Sequence, residues 1–411
     1  MVHVILSFLF HIYYNMAKII LANNKSQRIE NGHPWVYDNE VAQTEGKYEA
    51  GDIVEVYNSK RKFIGKGYIN PKSHILVRLL TRNPKEDIDK AFFHRKLSEA
   101  LEFRKLHHYK DTFRWVFGEA DFLSGLVIDK FADTVGLQTL SLGMDKFKPI
   151  ITEVINELVN PNVIYERNDV PVRELEGLTQ QTGFLSSKGK EAEKNLEKGV
   201  LIEENGFKFT VDVMNGQKTG YFLDQTENRA AIQPYVKNKT VLDCFSHTGS
   251  FAIHAAGYGA SHVTALDISE QAMQTAKQNA VLNGLTNMDF ITANAFDLLK
   301  DWTKENRKFD MVILDPPAFT KSRQNIQNAL RGYKEINLRG MKLVKSGGFL
   351  ATCTCSHFIT PELFKKVLQE AALDAQKTVR EVCFKVQGKD HPVLWNVDET
   401  LYLKFYVLQV W

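Results

Sequence analysis

The chain has 411 residues, of which 44% are hydrophobic and 25% charged, with a formal net charge of +3 and a pI near 8.4. That length is too great for one ordinary core and predicts two or three domains of soluble, globular composition. The charge neither demands nor rules out nucleic acid, which would need local basic faces such as Lys60-Arg61-Lys62 with Lys66, or Arg104-Lys105 with His107 and His108. The four cysteines, Cys244, Cys353, Cys355 and Cys383, form no CxxC pair and no zinc-like spacing with histidine. They suggest neither a disulfide framework nor a metal site and fit a reduced, cytoplasmic setting.

Residues 1–15 are apolar and aromatic and are followed by Met16-Ala17-Lys18. They lack the basic start and small-residue cleavage site of a signal peptide and are too short to span a membrane. Met16 is read as the start, and 1–15 as a non-native or disordered extension. No other segment is long and apolar enough for a membrane helix. Residues 16–87 alternate short strands with Gly and Pro turns, as in Ile53-Val54-Glu55-Val56-Tyr57, and predict a small β-barrel. Residues 88–190 predict an α+β middle domain. It has a helix over 88–107, strands over 113–117, 125–131 and 134–140, a helix over 148–159, a strand over 163–166, and a charged linker over 186–198.

From 191 to 411 strands and helices alternate, predicting a parallel, doubly wound Rossmann-like α/β domain. Its strands are 240–245, 262–267, 288–292, 309–314 and 349–352. Segments 380–386 and 402–408 flank a loop and predict an antiparallel pair, giving seven strands in all. Ser269 is a candidate helix N-cap with Gly284 past the helix end, and Thr360-Pro361 begins another helix.

The run Val241-Leu242-Asp243-Cys244-Phe245-Ser246-His247-Thr248-Gly249-Ser250-Phe251 reads as strand, tight loop and helix start. Its small residues would admit a ligand against a helix N-terminus. Asp267 closes the next strand, where a carboxylate can accept both hydroxyls of a ribose. With no GxGxxG to hold a diphosphate, the cofactor expected is S-adenosyl-L-methionine rather than NAD.

Two further strand ends carry the chemistry: Asp315-Pro316-Pro317-Ala318-Phe319 and Thr354-Cys355-Ser356. A thiolate adding to C6 of a pyrimidine makes C5 nucleophilic enough to take a methyl from a sulfonium. Such a cysteine needs access and a lowered pKa. Cys355 is the candidate, with Cys353 packed inside. Asp315 could bond the ring N3 or assist its protonation, and Phe319 could stack on a base that must be unpaired or flipped out. His247 and His357 are read as polar loop residues.

These segments, in this order, resemble the PUA-fused class I S-adenosylmethionine-dependent large-subunit (23S) rRNA cytosine-5 methyltransferases, over the chain from Met16 to Trp411. The resemblance extends to His33-Pro34-Trp35-Val36-Tyr37, to Arg167-Asn168-Asp169-Val170-Pro171-Val172-Arg173, to Lys218-Thr219-Gly220-Tyr221-Phe222-Leu223-Asp224-Gln225 and to Arg331-Gly332-Tyr333-Lys334-Glu335-Ile336-Asn337. It implies a PUA barrel gripping rRNA, naked or partly assembled, and leaves room for a homodimer. It implies Cys355 as nucleophile with Asp315 beside it. The implied cofactor shell is Tyr221, Leu223, Asp224, Phe245, Thr248, Gly249, Asp267, Ile268, Asn294, Ala295 and Asp315, and Pro316, Pro317 and Phe319 would meet the substrate. Asn294 departs from the aspartate usual near the adenine; its side-chain oxygen can still accept, so retuned binding is expected. Two rival readings share the framework. A guanine-N7 or amino-group RNA methyltransferase would need no Cys355, and a non-catalytic assembly factor would be expected to have lost Asp267 or Cys355.

Overall fold

The computed structural model describes residues 16–320 and 322–411; the extension expected over 1–15 lies outside the described residues. The chain forms two compact units. One takes the chain up to Lys194 together with Val393–Asp398, and the other takes Asn195–Pro392 and Glu399–Trp411.

In the first unit, β1 (Lys18–Leu21), β2 (Trp35–Tyr37), β3 (Val41–Glu45), β4 (Ile53–Tyr57), β5 (Phe63–Ile69) and β6 (Ile75–Thr81) form a sheet of order β2-β6-β5-β4-β1-β3. Val36 on β2 and Ile19 on β1 share one core with Val54, Val56 and Val77, so the sheet wraps around it. A second sheet follows, ordered β11-β10-β9-β8-β7. Its strands are β7 (Thr112–Phe117), β8 (Leu126–Phe131), β9 (Thr134–Thr139), β10 (Val163–Asn168) and β11 (Gln181–Ser187), covered by α1 (Lys90–Leu106) and α2 (Leu142–Val159). Tyr68 of β5 belongs to this second core, and its hydroxyl bonds Ser124 O (2.7 Å) and Ser141 Oγ (2.6 Å). The six-residue return completes the unit: Val397 is fully buried, and Asn396 Nδ2 donates to Asn31 O (2.5 Å).

Several boundaries differ from the sequence reading, two of them most, in and beside this unit. α2 begins six residues before 148, because Ser141 starts the helix and Pro149 is accommodated inside it. The segment expected to be a linker holds a helix, Lys190–Glu197, built of helix-favouring Lys, Glu and Ala with Leu196 buried.

The second unit opens with the hairpin β12 (Val200–Glu204) and β13 (Phe207–Val211), then α3 (Thr226–Ala231). Its main sheet has the order β16-β15-β14-β17-β18-β20-β19. The strands are β14 (Thr240–Cys244), β15 (His262–Asp267), β16 (Met288–Thr292), β17 (Phe309–Leu314), β18 (Val344–Thr354), β19 (Val379–Lys385) and β20 (Lys404–Val410). The helices are α4 (Ser250–Gly257), α5 (Glu270–Leu282), α6 (Ala295–Lys304), α7 (Ile326–Leu343) and α8 (Pro361–Asp374). One apolar core lies under α6, α7 and α8 and another under α4 and α5. Such two-sided burial is why the strands read as continuous apolar runs. Ser269 and Thr360 cap α5 and α8 through their hydroxyls. β20 alone runs antiparallel, to both β18 and β19. Among the described residues no helix is long and apolar enough to cross a membrane.

A Cβ on Gly143, in the first turn of α2, would stand 2.1 Å from the Tyr68 ring. Gly143→Ala is therefore expected to destabilise the first unit by about 2 kcal/mol through overpacking, measured as a lowered denaturation midpoint.

Candidate active site

β14 and β17 end level, Cys244 opposite Leu314, and β18 passes Leu314 at Thr352 and runs two residues further, to Thr354. The three segments that leave these strands therefore meet at one edge. After β14 the backbone is left-handed at Phe245 (φ 63°), His247 (φ 50°) and Gly249 (φ 82°), a conformation that non-glycine residues keep only when their surroundings impose it. Here Ser246 N donates to Leu266 O (3.0 Å) and His247 N to Asp267 Oδ2 (2.9 Å). Beneath the loop, the fully buried Asp243 accepts from Ser246 Oγ (2.5 Å) and Ala252 N (3.0 Å). Burial pushes its pKa up to about 7, against the Ser246 hydroxyl, and the nearby Asp315 charge adds to the rise. A Cβ on Gly249 would lie 2.9 Å from Ala276 Cβ, which explains the glycine.

Asp267 Oδ1 accepts from Ser269 N (2.9 Å), so both carboxylate oxygens are fixed by backbone and each keeps a further lone pair. Ile268 beside it is 71% exposed. Asn294 caps α6 through Oδ1, which accepts from Phe296 N (2.9 Å). Its oxygen thus serves the helix, and its amide is the part left to donate.

Segment 218–225 forms the opposite wall. Glu204, buried at the end of β12, binds Arg229 on α3 through Nε (2.5 Å) and Nη2 (2.7 Å), and Arg229 Nη2 also donates to Phe222 O (2.8 Å). Lys218 Nζ pairs with Asp224 Oδ2 (2.6 Å), which also accepts from Tyr402 OH (2.6 Å). Burial alone would raise the Asp224 pKa, but Lys218, His391 and Tyr402 hold it below the ordinary carboxylate range. Gly220 (φ 123°) lies so close to Asp212 that a Cβ would be 2.6 Å from its carbonyl oxygen.

At the β17 end Gln225 Nε2 donates to Asp315 Oδ1 (2.9 Å) and lies 3.4 Å from Cys353 Sγ, while Gln225 Oε1 accepts from Asn228 Nδ2 (2.6 Å). Burial pushes the Asp315 pKa up to about 6; the Cys353 thiol partly offsets this, and Asp224's charge adds to the rise. Cys353 is buried, as expected, and Cys355 is half-buried. The lowered Cys355 pKa expected from sequence is not what the environment produces: burial and then the Asp315 charge push it up to about 11, with Lys218 pulling the other way. Tyr333, from α7, ties the loops after β17 and β18 together. Its hydroxyl lies 2.9 Å from Ser356 Oγ and accepts from Phe319 N (3.4 Å), and its ring packs at 4.4 Å against Phe319.

These elements surround a cavity of about 750 Å³. It is lined by twelve of the residues expected from sequence: Asp224, Phe245, Thr248, Asp267, Ile268, Asn294, Ala295, Asp315, Pro316, Pro317, Phe319 and Cys355. Gly249 instead faces Ala276, and Tyr221 and Leu223 point inward, both 2% exposed; Gly220, Phe222 and Gln225 take the lining positions. Sequence reading passed over Phe296, Gln225 and Tyr402. The first two stand within or beside recognisable motifs, whereas Tyr402 reaches the cavity from the far end of the chain.

The S-adenosylmethionine-dependent methyltransferase family pattern matches residues 188–408. The chain belongs to this family. A PUA-like domain pattern matches residues 19–82 of the same methyltransferase chain. It is 40% identical over 399 residues to ribosomal RNA large subunit methyltransferase I of Aliivibrio fischeri, covering 96% of this chain and 99% of that one. It is 38% identical, with the same coverage, to the protein of that name in Alteromonas mediterranea. A solved methyltransferase complexed with SAH shares the fold, with a TM-score of 0.81 at 20% identity over 96% of this chain and 100% of that chain. A SAM-dependent methyltransferase from Streptococcus mutans does so at 0.79, again at 20% identity and the same coverage.

The cavity fits the cofactor of an S-adenosylmethionine-dependent methyltransferase. Thr248 Oγ1 and Asp224 Oδ1, both on its wall, are buried and have no hydrogen-bond partner among the described residues. A ligand bearing hydroxyl and ammonium groups would satisfy them.

Asp315 titrates near 6 in the folded chain against an ordinary 3.8. A raised carboxyl pKa means stability present below about pH 4 and lost as pH rises through 6. Asp315→Asn is thus expected to raise the thermal midpoint by roughly 2–4 °C at pH 8, with the difference closing toward pH 4 in a calorimetric series.

Proposed function

We propose that this chain methylates C5 of a cytosine in large-subunit ribosomal RNA, with Cys355 as covalent nucleophile. The observation that carries this reading is that Cys355 and Asp315 open together onto the cavity that holds Asp267 and Asp224. The relatives' name, ribosomal RNA large subunit methyltransferase I, supports the substrate. When bound, S-adenosylmethionine supplies an electrophilic methyl on its sulfonium. Asp267 would hold the ribose hydroxyls, Asn294 and Phe296 would border the adenine, and the Asp224 carboxylate would take the amino group.

Pro316, Pro317 and Phe319 would flank a flipped-out cytosine, with Tyr333 already covering one side of the Phe319 ring. The Cys355 sulfur adds to C6, and Asp315, whose pKa near 6 makes its proton easy to give and take, donates to N3 as electrons shift onto the ring. C5 then takes the methyl. The methyl's departure leaves the cofactor as the neutral thioether S-adenosylhomocysteine; the C5 proton then passes to water, N3 returns its proton to Asp315, and the C6–S bond breaks, returning the thiolate and releasing 5-methylcytosine. The modules serving this are read as 16–87 for RNA grip, 88–190 as an α+β spacer and 191–411 for chemistry.

Labelled S-adenosylmethionine, incubated with unmodified large-subunit RNA or with partly assembled subunits, is expected to give labelled 5-methylcytidine on nucleoside analysis. Cys355→Ala is expected to lower the rate by about a thousandfold or more. Label in a guanosine, or undiminished activity of Cys355→Ala, would overturn the reading. Asp267→Ala should weaken cofactor binding at least about tenfold in calorimetry.

A further inference from the structure

Gln225 stands on the cavity wall and is 3% exposed, yet the proposed chemistry gives it no task. It closes the 3-10 turn Leu223–Gln225, directly before α3. Both ends of its amide are engaged. Oε1 accepts from Nδ2 of Asn228 (2.6 Å), which lies three residues on in α3 and is itself fully buried. That contact fixes which end of the amide turns away from α3. The Nε2 end donates to Asp315 Oδ1 (2.9 Å) and stands 3.4 Å from Cys353 Sγ, so each of its two hydrogens has an acceptor. The helix that orients the amide is anchored in turn by the buried Glu204–Arg229 pair. Burying an amide is costly unless its bonds are made, and here they are made to the acid of the reaction.

We infer that Gln225 is a positioning residue for Asp315, its amide holding Oδ1 as an acceptor so that Oδ2 is the oxygen that carries the proton. The inference rests on Asp315 acting as the acid toward N3 in the reading above. A carboxyl group bears its proton on one oxygen, and the oxygen that already receives an N–H is the better carbonyl. As the S–C6 bond forms, the proton leaves Oδ2 for N3, and the charge left behind spreads onto Oδ1, where the Gln225 N–H meets it. Such a bond is stronger to the carboxylate than to the neutral acid, so it favours the transfer. The proton later returns to Oδ2, and no bond to Gln225 forms or breaks. The charged and titratable groups around Asp315 are Asp224 and Lys218 on the 218–225 wall, Arg229 on α3, Asp243 on β14, Cys353 on β18 and Cys355 just past its end. The Cys353 thiol joins Gln225 in bonding the carboxyl; the others act on it through their charge.

The test pairs methylation kinetics with a carbon-13 NMR titration of the full chain labelled at its aspartate carboxyls, the Asp315 signal being assigned by its absence in Asp315→Asn. In Gln225→Met, which keeps the side-chain length and removes both donors, kcat on large-subunit RNA is expected to fall about tenfold. KM for the RNA and the affinity for S-adenosylmethionine should stay within about twofold of the unsubstituted chain. The Asp315 titration is expected to move up by about one pH unit, because a donor to its ionised form is gone. In Gln225→Glu the two facing carboxyls share a proton and titrate in two steps, with kcat lowered as well. An Asp315 titration unmoved in Gln225→Met, or a loss confined to KM, would overturn the inference. Should Gln225→Met fail to fold, Gln225→Glu decides, since a single unshifted Asp315 step counts against it. Label in a guanosine would remove the reading on which the inference rests, while the carboxyl titration, made without RNA or cofactor, would still decide whether Gln225 holds Asp315.

Discussion

The site depends on three neighbouring parallel strands whose carboxyl ends lie at one edge of the sheet. Because Cys244, Leu314 and Thr352 lie side by side, the cofactor loop, Asp315 and Cys355 emerge at one edge. Side chains alternate along a strand, so a one-residue slip of β18 would send Cys355 to the face occupied by Thr354. The Tyr333 hydroxyl, reaching from α7 to both Ser356 and Phe319, fixes the loops just where the ladder no longer can. That gives a physical reason for a tyrosine at position 333, although it does not line the cavity.

Around that edge, three aspartates clustered at one site are set differently by their neighbours. Asp224 is held ionised by Lys218 and Tyr402, whereas Asp315 and Asp243 are pushed upward by burial. The difference follows from what each touches: an ammonium in the first case, an amide and a thiol in the second, and a hydroxyl and a backbone amide in the third. The buried Glu204–Arg229 pair keeps the Lys218 side of this arrangement in place by binding the Phe222 carbonyl. Carboxylates gathered this closely work against folding, and it is the rest of the sheet that offsets them.

Much of this was legible in the sequence. Strands 262–267 and 309–314 end where the apolar runs meet Asp or Asp-Pro, because burial on both faces leaves little ambiguity about their limits, and the edge strand 288–292 ends at its Thr. The loop residues Thr248 and Asp267 and the pair Asp315 and Cys355 were legible because position at a strand's carboxyl end is itself a signal. Side-chain direction was not: nothing local says that Tyr221 and Leu223 turn inward while Phe222 faces the cavity, since only a single short 3-10 turn, Leu223–Gln225, gives the segment any regular form. Tyr402 was hidden for a different reason. Its approach is created by the pairing of β20 with β18, some fifty residues away in sequence. The raised Cys355 pKa is likewise a property of the surroundings, carried by burial and by Asp315 rather than by neighbours in the chain.

The return of Val393–Asp398 to the first unit gives the molecule an interlaced connectivity. The polypeptide passes from the first unit to the second, back for six residues, and out again into β20. No single scission separates two complete units: cutting after Lys194 deprives the first of Asn396 and the buried Val397, and cutting before β20 strips the methyltransferase sheet of that strand. Each unit is therefore finished only once the chain has been made through Asp398 and β20, which makes the order of assembly a property of the chain's path as much as of its domains.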